Sequence, residues 1–343
     1  MQSQGRKSRV LFVYPDFSPF VERDLAILEK EFSVKTMKAE TFFLPRKGRD
    51  PLVFLRLLWK VIWADVILCW FANINAFFSV LFSIFLRKKF VVIVGGYDAA
   101  YVPELEYGVF VNCLTRTQAV FVYKHANKIL VVDASLKRDI IGQVNFDVQS
   151  RIHVVATGYN VKNCKPARRS RENIVITVGA VTWSNLKRKG FETFVKAAKY
   201  YPNVNFVLIG KHVDDSAEYL KSIASSNITF PGFVSDTELT NFFQKAKVYC
   251  QLSRYEGLPN ALCEAMLCGC VPVGTKFCGI PTAIGDTGFY VEYADVADTV
   301  KGINKALNAD FEKSEAARLR IKKMFSMNKR EKELARHINE VIK

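Results

Sequence analysis

Two glutamates eight residues apart, Glu256 and Glu264, stand in the stretch 253–269, SRYEGLPNALCEAMLCG. Glu264 is surrounded by apolar residues in the helical run ALCEAMLC, where a carboxylate needs a hydrogen-bond partner. Glu256 precedes it in a loop that continues through Gly257, Leu258, Pro259 and Asn260. Glycine lets the backbone approach a ligand closely, and proline suits the first turn of a helix. The helix start behind such a loop presents unpaired N–H groups and a positive dipole end, which together seat a phosphate. A solvated surface pair is the bland alternative, and the apolar neighbours of Glu264 weigh against it. A second cluster, Gly95-Gly96-Tyr97-Asp98, closes the apolar run 90–94. A double glycine at the C-terminal end of a parallel strand admits a ligand or a neighbouring loop. Asp98 is expected either to hold a ligand hydroxyl, with Gly96 and Tyr97 beside it, or to be a solvated turn residue.

These residues need a scaffold, and the hydrophobic pattern supplies one. Short β-branched and aromatic runs predict strands over 10–14, 66–70, 90–94, 129–132, 152–155, 174–178, 204–209, 228–230, 248–251, 271–274 and 289–291. Helical patterns fall between them, including 20–31, 52–63, 135–142, 191–200, 216–225, 236–245 and 259–268. Such alternation predicts parallel sheets with helices on both faces. The stretch 159–173, with Pro166 and the cluster Arg168, Arg169, Arg171, predicts a seam between two domains of similar size. Residues 328–343 place Leu334, Ile338 and Val341 on one helical face, so this last helix is expected to dock, with the first domain as its target.

Composition narrows the classes. With 343 residues, half of them hydrophobic, the chain builds a large core and excludes disorder or a disulfide-stapled miniprotein. A formal charge of +16 asks for an anionic partner. The excess is spread over both halves without a basic arm, which excludes a nucleic-acid binder as the first reading. Eight cysteines form no CxxC pair and the four histidines are scattered, so no metal site is expected and the thiols read as free in a reducing cytoplasm. The run 10–14 is a first strand, too short for a signal-peptide core. The run 75–86 is too short to span a bilayer.

The set of pieces resembles the family-4 retaining glycosyltransferases of GT-B fold. Glu256 and Glu264 look like that family's paired-glutamate signature. The segment VGAVTWSNLKRKGFETF (178–194) resembles the strand, loop and Lys-Gly step opening the family's second domain. NFVLIGK (205–211), ITFPGFVSDTEL (228–239), CVPVGTKFCGIP (270–281) and GDTGFYV (285–291) follow in the family's order, so the resemblance covers about 172–305. It implies an α/β chain of two doubly wound Rossmann-like domains facing across a cleft. The first would be 1–165 on the acceptor side, with 326–343 docking back on it. The second, 166–325, would bind a nucleotide sugar. The implied activity is retaining transfer of a hexose from that donor to a hydroxyl of a glycan or lipid-linked acceptor.

The implied roles fall on matching positions. Lys189, with Arg188 or Lys187 in place of a family arginine that is Ala180 here, would meet the donor diphosphate. Glu264 would bind ribose, Glu256 would contact the transferred sugar, and Phe233 and Val234 would lie at the base. Backbone N–H groups of Gly257, Leu258 and Asn260 would face phosphate or sugar, and Asp98, Gly96 and Tyr97 the sugar or acceptor. Thr282 replaces a family glutamate, the loop 15–24 has no glycine, and the family's first-domain histidine has no counterpart. With no Asp-x-Asp in the chain, no metal cofactor is expected. An epimerase or phosphorylase on the same donor site, or a silent sugar- or lipid-binding protein, is the alternative. Aromatic and aliphatic residues with cations at 52–63 (Arg56, Trp59, Lys60, Trp63) and 75–89 (Arg87, Lys88, Lys89) raise a further expectation, an interfacial patch on an anionic membrane at its inner face. Two helices buried against the first sheet are the competing reading.

Overall fold

The computed structural model describes residues 6–38, 52–160 and 171–343. Cys164, Pro166, Arg168 and Arg169, and the expected 165/166 boundary, lie outside the described residues. Contacts divide the chain into two compact units, Met1–Gly158 with Asn328–Lys343, and Tyr159–Met327.

Unit 1 alternates β1 (Arg9–Tyr14), α1 (Pro19–Glu31), β2 (Ser33–Lys38), α2 (Val53–Trp63), β3 (Val66–Trp70), α3 (Ile74–Phe85), β4 (Lys89–Val94), α4 (Cys113–His125), β5 (Lys128–Val131), α5 (Ala134–Gln143) and β6 (Ile152–Val154). All pairings are parallel, in the order β2-β1-β3-β4-β5-β6. The inner strands β3 and β4 read VILCW and KFVVIV because both their faces are covered. Strand β2, SVKTMK, was not foreseen. It lies at the sheet edge with mostly exposed or half-exposed residues, so it carries no apolar run.

Unit 2 alternates β7 (Glu172–Val178), α6 (Trp183–Arg188), α7 (Phe191–Ala198), β8 (Asn205–Ile209), α8 (Ser216–Ser222), β9 (Ile228–Gly232), α9 (Asp236–Lys245), β10 (Ala246–Gln251), α10 (Asn260–Leu267), β11 (Val271–Gly274), α11 (Ile280–Ile284), β12 (Phe289–Tyr290), α12 (Val296–Leu307) and α13 (Phe311–Met324). Its sheet is also parallel, in the order β12-β11-β10-β7-β8-β9. Strands β8 and β9 step away from β7 on one side, and β10, β11 and β12 on the other. The strand order therefore reverses between β7 and β10, which is where open α/β sheets take ligands. Both units are doubly wound Rossmann-like layers.

In unit 1 the right-handed crossover rule has a consequence. The step from β1 to β2 runs one way across the sheet and every later step runs the other, so α1 lies on the face opposite α2–α5. Much of the α1 face is left for the last helix, α14 (Met327–Ile342). Arg330 forms a bidentate pair with Asp24 of α1, Nε to Oδ1 at 2.9 Å and Nη2 to Oδ2 at 2.6 Å, with both side chains buried. The Trp70 indole N–H donates to the same carboxylate at 3.0 Å. Further along α14, the His337 ring lies 4.4 Å from that of His153 in β6, and Lys128 at the start of β5 donates to His337 Nδ1 at 3.1 Å and pairs with Glu340.

Burial, followed by the charges of Arg336 and Lys128, pushes His337 down to about 4, and His153 is lowered for the same reasons; Glu340 and Glu333 face the pair from α14. Both rings are therefore neutral in the fold at pH 7. The unfolded chain takes up their protons below about pH 6.5 while the folded His337 resists until about 4. Stability is full above 6.5 and falls as pH drops through that window. Between pH 6.5 and 5 we expect about 2 kcal/mol of loss from His337 at ~1.4 kcal/mol per pH unit. Denaturant unfolding of the protein and of His337→Asn at both pH values checks this, and an equally steep loss in the variant would contradict it.

Candidate active site

The loops after β7 and β10 leave the sheet at its reversal point, and a hydrogen bond from the Arg254 N–H to the Arg188 carbonyl at 2.7 Å joins them. Gly190 makes the approach possible. It sits at φ +68°, and a Cβ there would run into the Leu252 carbonyl and side chain. Lys189 caps the C-terminus of α6; its stem lies over Gly179, and its ammonium reaches across to the β10 loop.

There it meets Glu256. Glu256 Oε1 accepts from Lys189 Nζ at 2.8 Å, from Ser253 Oγ at 3.1 Å and from Gln251 Nε2 at 3.4 Å, and the Arg188 Nη1 cation lies 3.5 Å from the same oxygen. Three donors and a second cation converge on Oε1, while Oε2 has no partner among the described residues. Burial pushes the Glu256 carboxyl up, but the charges of Lys189 and Arg188 and the hydrogen bonds from Lys189 and Ser253 outweigh it. The group is held below the ordinary carboxylate range and is ionised. Two cations against one carboxylate leave the cluster net positive, which suits a polyanion.

Supporting groups extend inward. Arg188 is buried and donates to Asn185 Oδ1 at 2.7 Å and to the Tyr255 carbonyl at 3.2 Å. Gln251 accepts from the Tyr249 hydroxyl at 3.2 Å and donates to Ser253 Oγ at 2.7 Å, and Thr275 Oγ1 holds the Ser253 carbonyl at 2.6 Å. The Tyr249 hydroxyl is raised well above its usual value by burial and by the charges of Glu256 and Glu264, so both carboxylates act on one buried group. Sequence reasoning missed Asn185, Tyr249, Gln251 and Ser253. The signal was polar residues at every second position, 249, 251 and 253, along an otherwise apolar strand.

After Glu256, Gly257 and Leu258 are buried and Pro259 caps α10, with ψ 108°, so the helix proper begins at Asn260 rather than at the proline. Glu264 is half-buried one turn into α10, and Tyr159 donates to Asn260 Oδ1 at 2.8 Å. Lys187 is exposed, so of the two candidates for the missing arginine only Arg188 joins the cluster. Phe233 is 79% exposed and Val234 half-exposed just beyond β9, two strands from β7. These two are not in the Glu256 cluster.

The Gly95–Asp98 loop in unit 1 corrects the expectation for Asp98. Its carboxylate is buried, with Oδ1 accepting from the N–H groups of Gly95 at 3.0 Å and Gly96 at 2.9 Å, and Oδ2 from Ala72 at 3.1 Å. Burial pushes it up to about 6 against those N–H bonds. It orders two loops and presents no oxygen to a ligand. Gly96 is buried in the turn, and Gly95 accommodates the Phe71 ring, so the double glycine serves a neighbouring loop. Tyr97 alone of this set reaches the surface, half-exposed against Tyr107.

Residues 162–324 match the family model described as glycosyl transferases group 1. That segment, just under half of the chain, is similar to group 1 glycosyltransferase domains. It contains every member of the Glu256 cluster. The chain is 24% identical over 166 residues to a subunit of the phosphatidylinositol N-acetylglucosaminyltransferase of Arabidopsis thaliana, covering 46% of this chain and 37% of that protein. It is 28% identical over 133 residues to an uncharacterized glycosyltransferase of Haemophilus influenzae, covering 35% and 36%. The chain thus spans little more than a third of the length of these two relatives. Among solved structures, HepE of Anabaena, in complex with UDP and glucose, is similar at TM-score 0.78 with 15% identity over 97% of this chain and all of that one. A glycosyltransferase of Rickettsia africae is similar at TM-score 0.75 with 17% identity over 98% and 99%. At that identity the likeness is one of fold, the pair of Rossmann-like domains called GT-B.

If Lys189 holds Glu256 ionised, Lys189→Met should move the Glu256 titration upward, because burial remains and the largest opposing charge is gone. Carboxyl-carbon NMR of the two proteins reads this directly. An unmoved titration would dissolve the coupling between the two loops.

Proposed function

We propose that the chain is a retaining glycosyltransferase that moves a hexose from a nucleoside diphosphate sugar to a hydroxyl of a glycan or lipid-linked acceptor. One observation carries the reading. At the reversal point of the sheet, in the segment that matches the group 1 model, Glu256 has three donors and a second cation on one oxygen and none, among the described residues, on the other. A carboxylate fixed in this way offers Oε2 to a ligand without needing to reorganise. The UDP bound by HepE supports a nucleoside diphosphate as the leaving group.

In this reading Lys189, Arg188 and the N–H groups of Gly257, Leu258 and Asn260 hold the diphosphate, Glu264 the ribose, and Phe233 and Val234 the base. The acceptor oxygen attacks the anomeric carbon as its bond to the diphosphate breaks, and that electron pair leaves with the phosphate. The acceptor proton passes to a diphosphate oxygen, and Oε2 of Glu256 stabilises the positive charge that develops on the sugar. Retention follows from the family resemblance.

The cations and the start of α10 carry the diphosphate charge in this scheme, so no metal takes part. Transfer should therefore survive chelation, and activity abolished by EDTA and restored by magnesium would refute that assignment. The two glutamates should separate. Glu256→Gln keeps size but removes the charge that stabilises the cationic sugar, so turnover should fall strongly and by far more than nucleoside diphosphate affinity. Glu264→Gln weakens a charge-assisted hydrogen bond of about 1.5–3 kcal/mol, so diphosphate affinity should fall about tenfold to a hundredfold. Calorimetric titration beside a transfer assay reads both. Loss of diphosphate binding in Glu256→Gln with retention in Glu264→Gln would reverse the roles.

A further inference from the structure

Helix α2, VFLRLLWKVIW, is apolar around most of its circumference, yet only part of it is covered. Leu57 and Val61 are buried, and the Phe54 ring packs edge-on against Phe78 of α3 at 4.8 Å. The other side carries Leu52, Leu55, Trp59 and Ile62, all exposed, with Trp59 at 73%. Steps of three, four and three residues put these four on one outward stripe. Helix α2 ends just before β3 and α3 just before β4, and Val66 pairs in register with Lys89, so both helices finish at the same end of the sheet. There α3 adds Ile84 and Phe85, the latter 76% exposed. The middle of α3 is buried, so the expectation that all of 75–86 forms a patch contracts to its last turn.

Among the described residues of α2 and those that end and follow α3, the charges are of one sign. Helix α2 contains Arg56 and Lys60 and no acid, and Lys60 is lowered first by burial and then by the nearby charges of Lys35 and Arg56. Lys60 reaches the Thr36 carbonyl at 2.8 Å, and Lys35 lies 4.5 Å over the Trp63 ring. Arg87, Lys88 and Lys89 follow α3 directly. Asp65, just after α2, is held by Arg9 at 2.7 Å. A second copy meeting this face through a two-fold axis would press one cation cluster against its twin. An anionic surface would instead complete the face.

We propose that the stripe Leu52, Leu55, Trp59 and Ile62, with Ile84 and Phe85, seats on an anionic lipid bilayer, its apolar residues at the acyl boundary and its cations on headgroup phosphates. Among the described residues no helix is long and apolar enough to cross a membrane, so the seat is peripheral. Vesicles contain no nucleotide, so this proposal stands or falls apart from the transfer reaction.

Sedimentation with vesicles of phosphatidylcholine alone, and of phosphatidylcholine with a third phosphatidylglycerol, tests it at low and raised salt. Binding is expected to the anionic vesicles alone, released by salt, with a blue-shifted tryptophan emission that Trp59→Phe loses. Trp59→Ala should lower partitioning at least about fivefold, and Arg56→Glu with Lys89→Glu at least about tenfold. Unchanged thermal unfolding of these surface variants shows that they remain folded. Equal binding to both vesicles, or full binding by Trp59→Ala, overturns the proposal. So does absence of binding, with sedimentation velocity then testing for a dimer.

Discussion

A buried ion pair closes the first unit. Removing Arg330 and Asp24 from water is costly, and the structure offsets that cost only because each polar atom is engaged. Asp24 receives two guanidinium bonds and the Trp70 indole, and the remaining Arg330 Nη1 reaches the Val155 carbonyl at 2.5 Å. The need for this pair comes from topology. A sheet that starts by stepping backwards puts a single crossover helix on one face, and right-handedness sends the rest to the other. Helix α14 supplies the missing layer, and Arg330 fixes its seat beside buried Leu334, Ile338 and Val341 and the His337 and Glu340 contacts to Lys128.

Unit 2 solves the same packing problem differently and gains a site from it. Its first strand lies inside the sheet, so the chain must leave β7 one way and return beside it through β10. Two loops diverge there with a gap between their helices. Gly190 lets them touch, Lys189 and Glu256 then face each other, and the buried Tyr249-Gln251-Ser253 series holds the carboxylate from behind. The geometry of Glu256 is thus a property of two strands and one left-handed glycine.

Much of this was legible beforehand, for physical reasons. Parallel strands covered on both faces read as unbroken apolar runs, so the inner strands were found within a residue or two. Glu264 drew notice because a carboxylate among ALC and AML has few explanations. Other features depend on partners distant in sequence. Asp98 could turn outward or inward from its own tetrapeptide, and the Ala72 N–H, 26 residues earlier, decides it. Strand β2 is defined by its neighbour β1 and not by its own polar residues. Helix α2 looked like core from composition, whereas one flank alone is covered.

The placement of α14 also sets a timetable. Unit 1 is begun by the first strands to be made but takes its last layer from residues that follow the whole of unit 2. At ~5–20 residues per second, synthesis of the intervening segment takes roughly 10–30 s. For that interval Asp24 and Trp70 have no Arg330, and the sheet face that α14 will cover is bare. Unit 2 has all its strands and helices by Met324 and can fold while its neighbour waits. A nascent chain of this topology therefore exposes an unfinished apolar sheet for many seconds, and during that time it is a natural client for a chaperone at the ribosome.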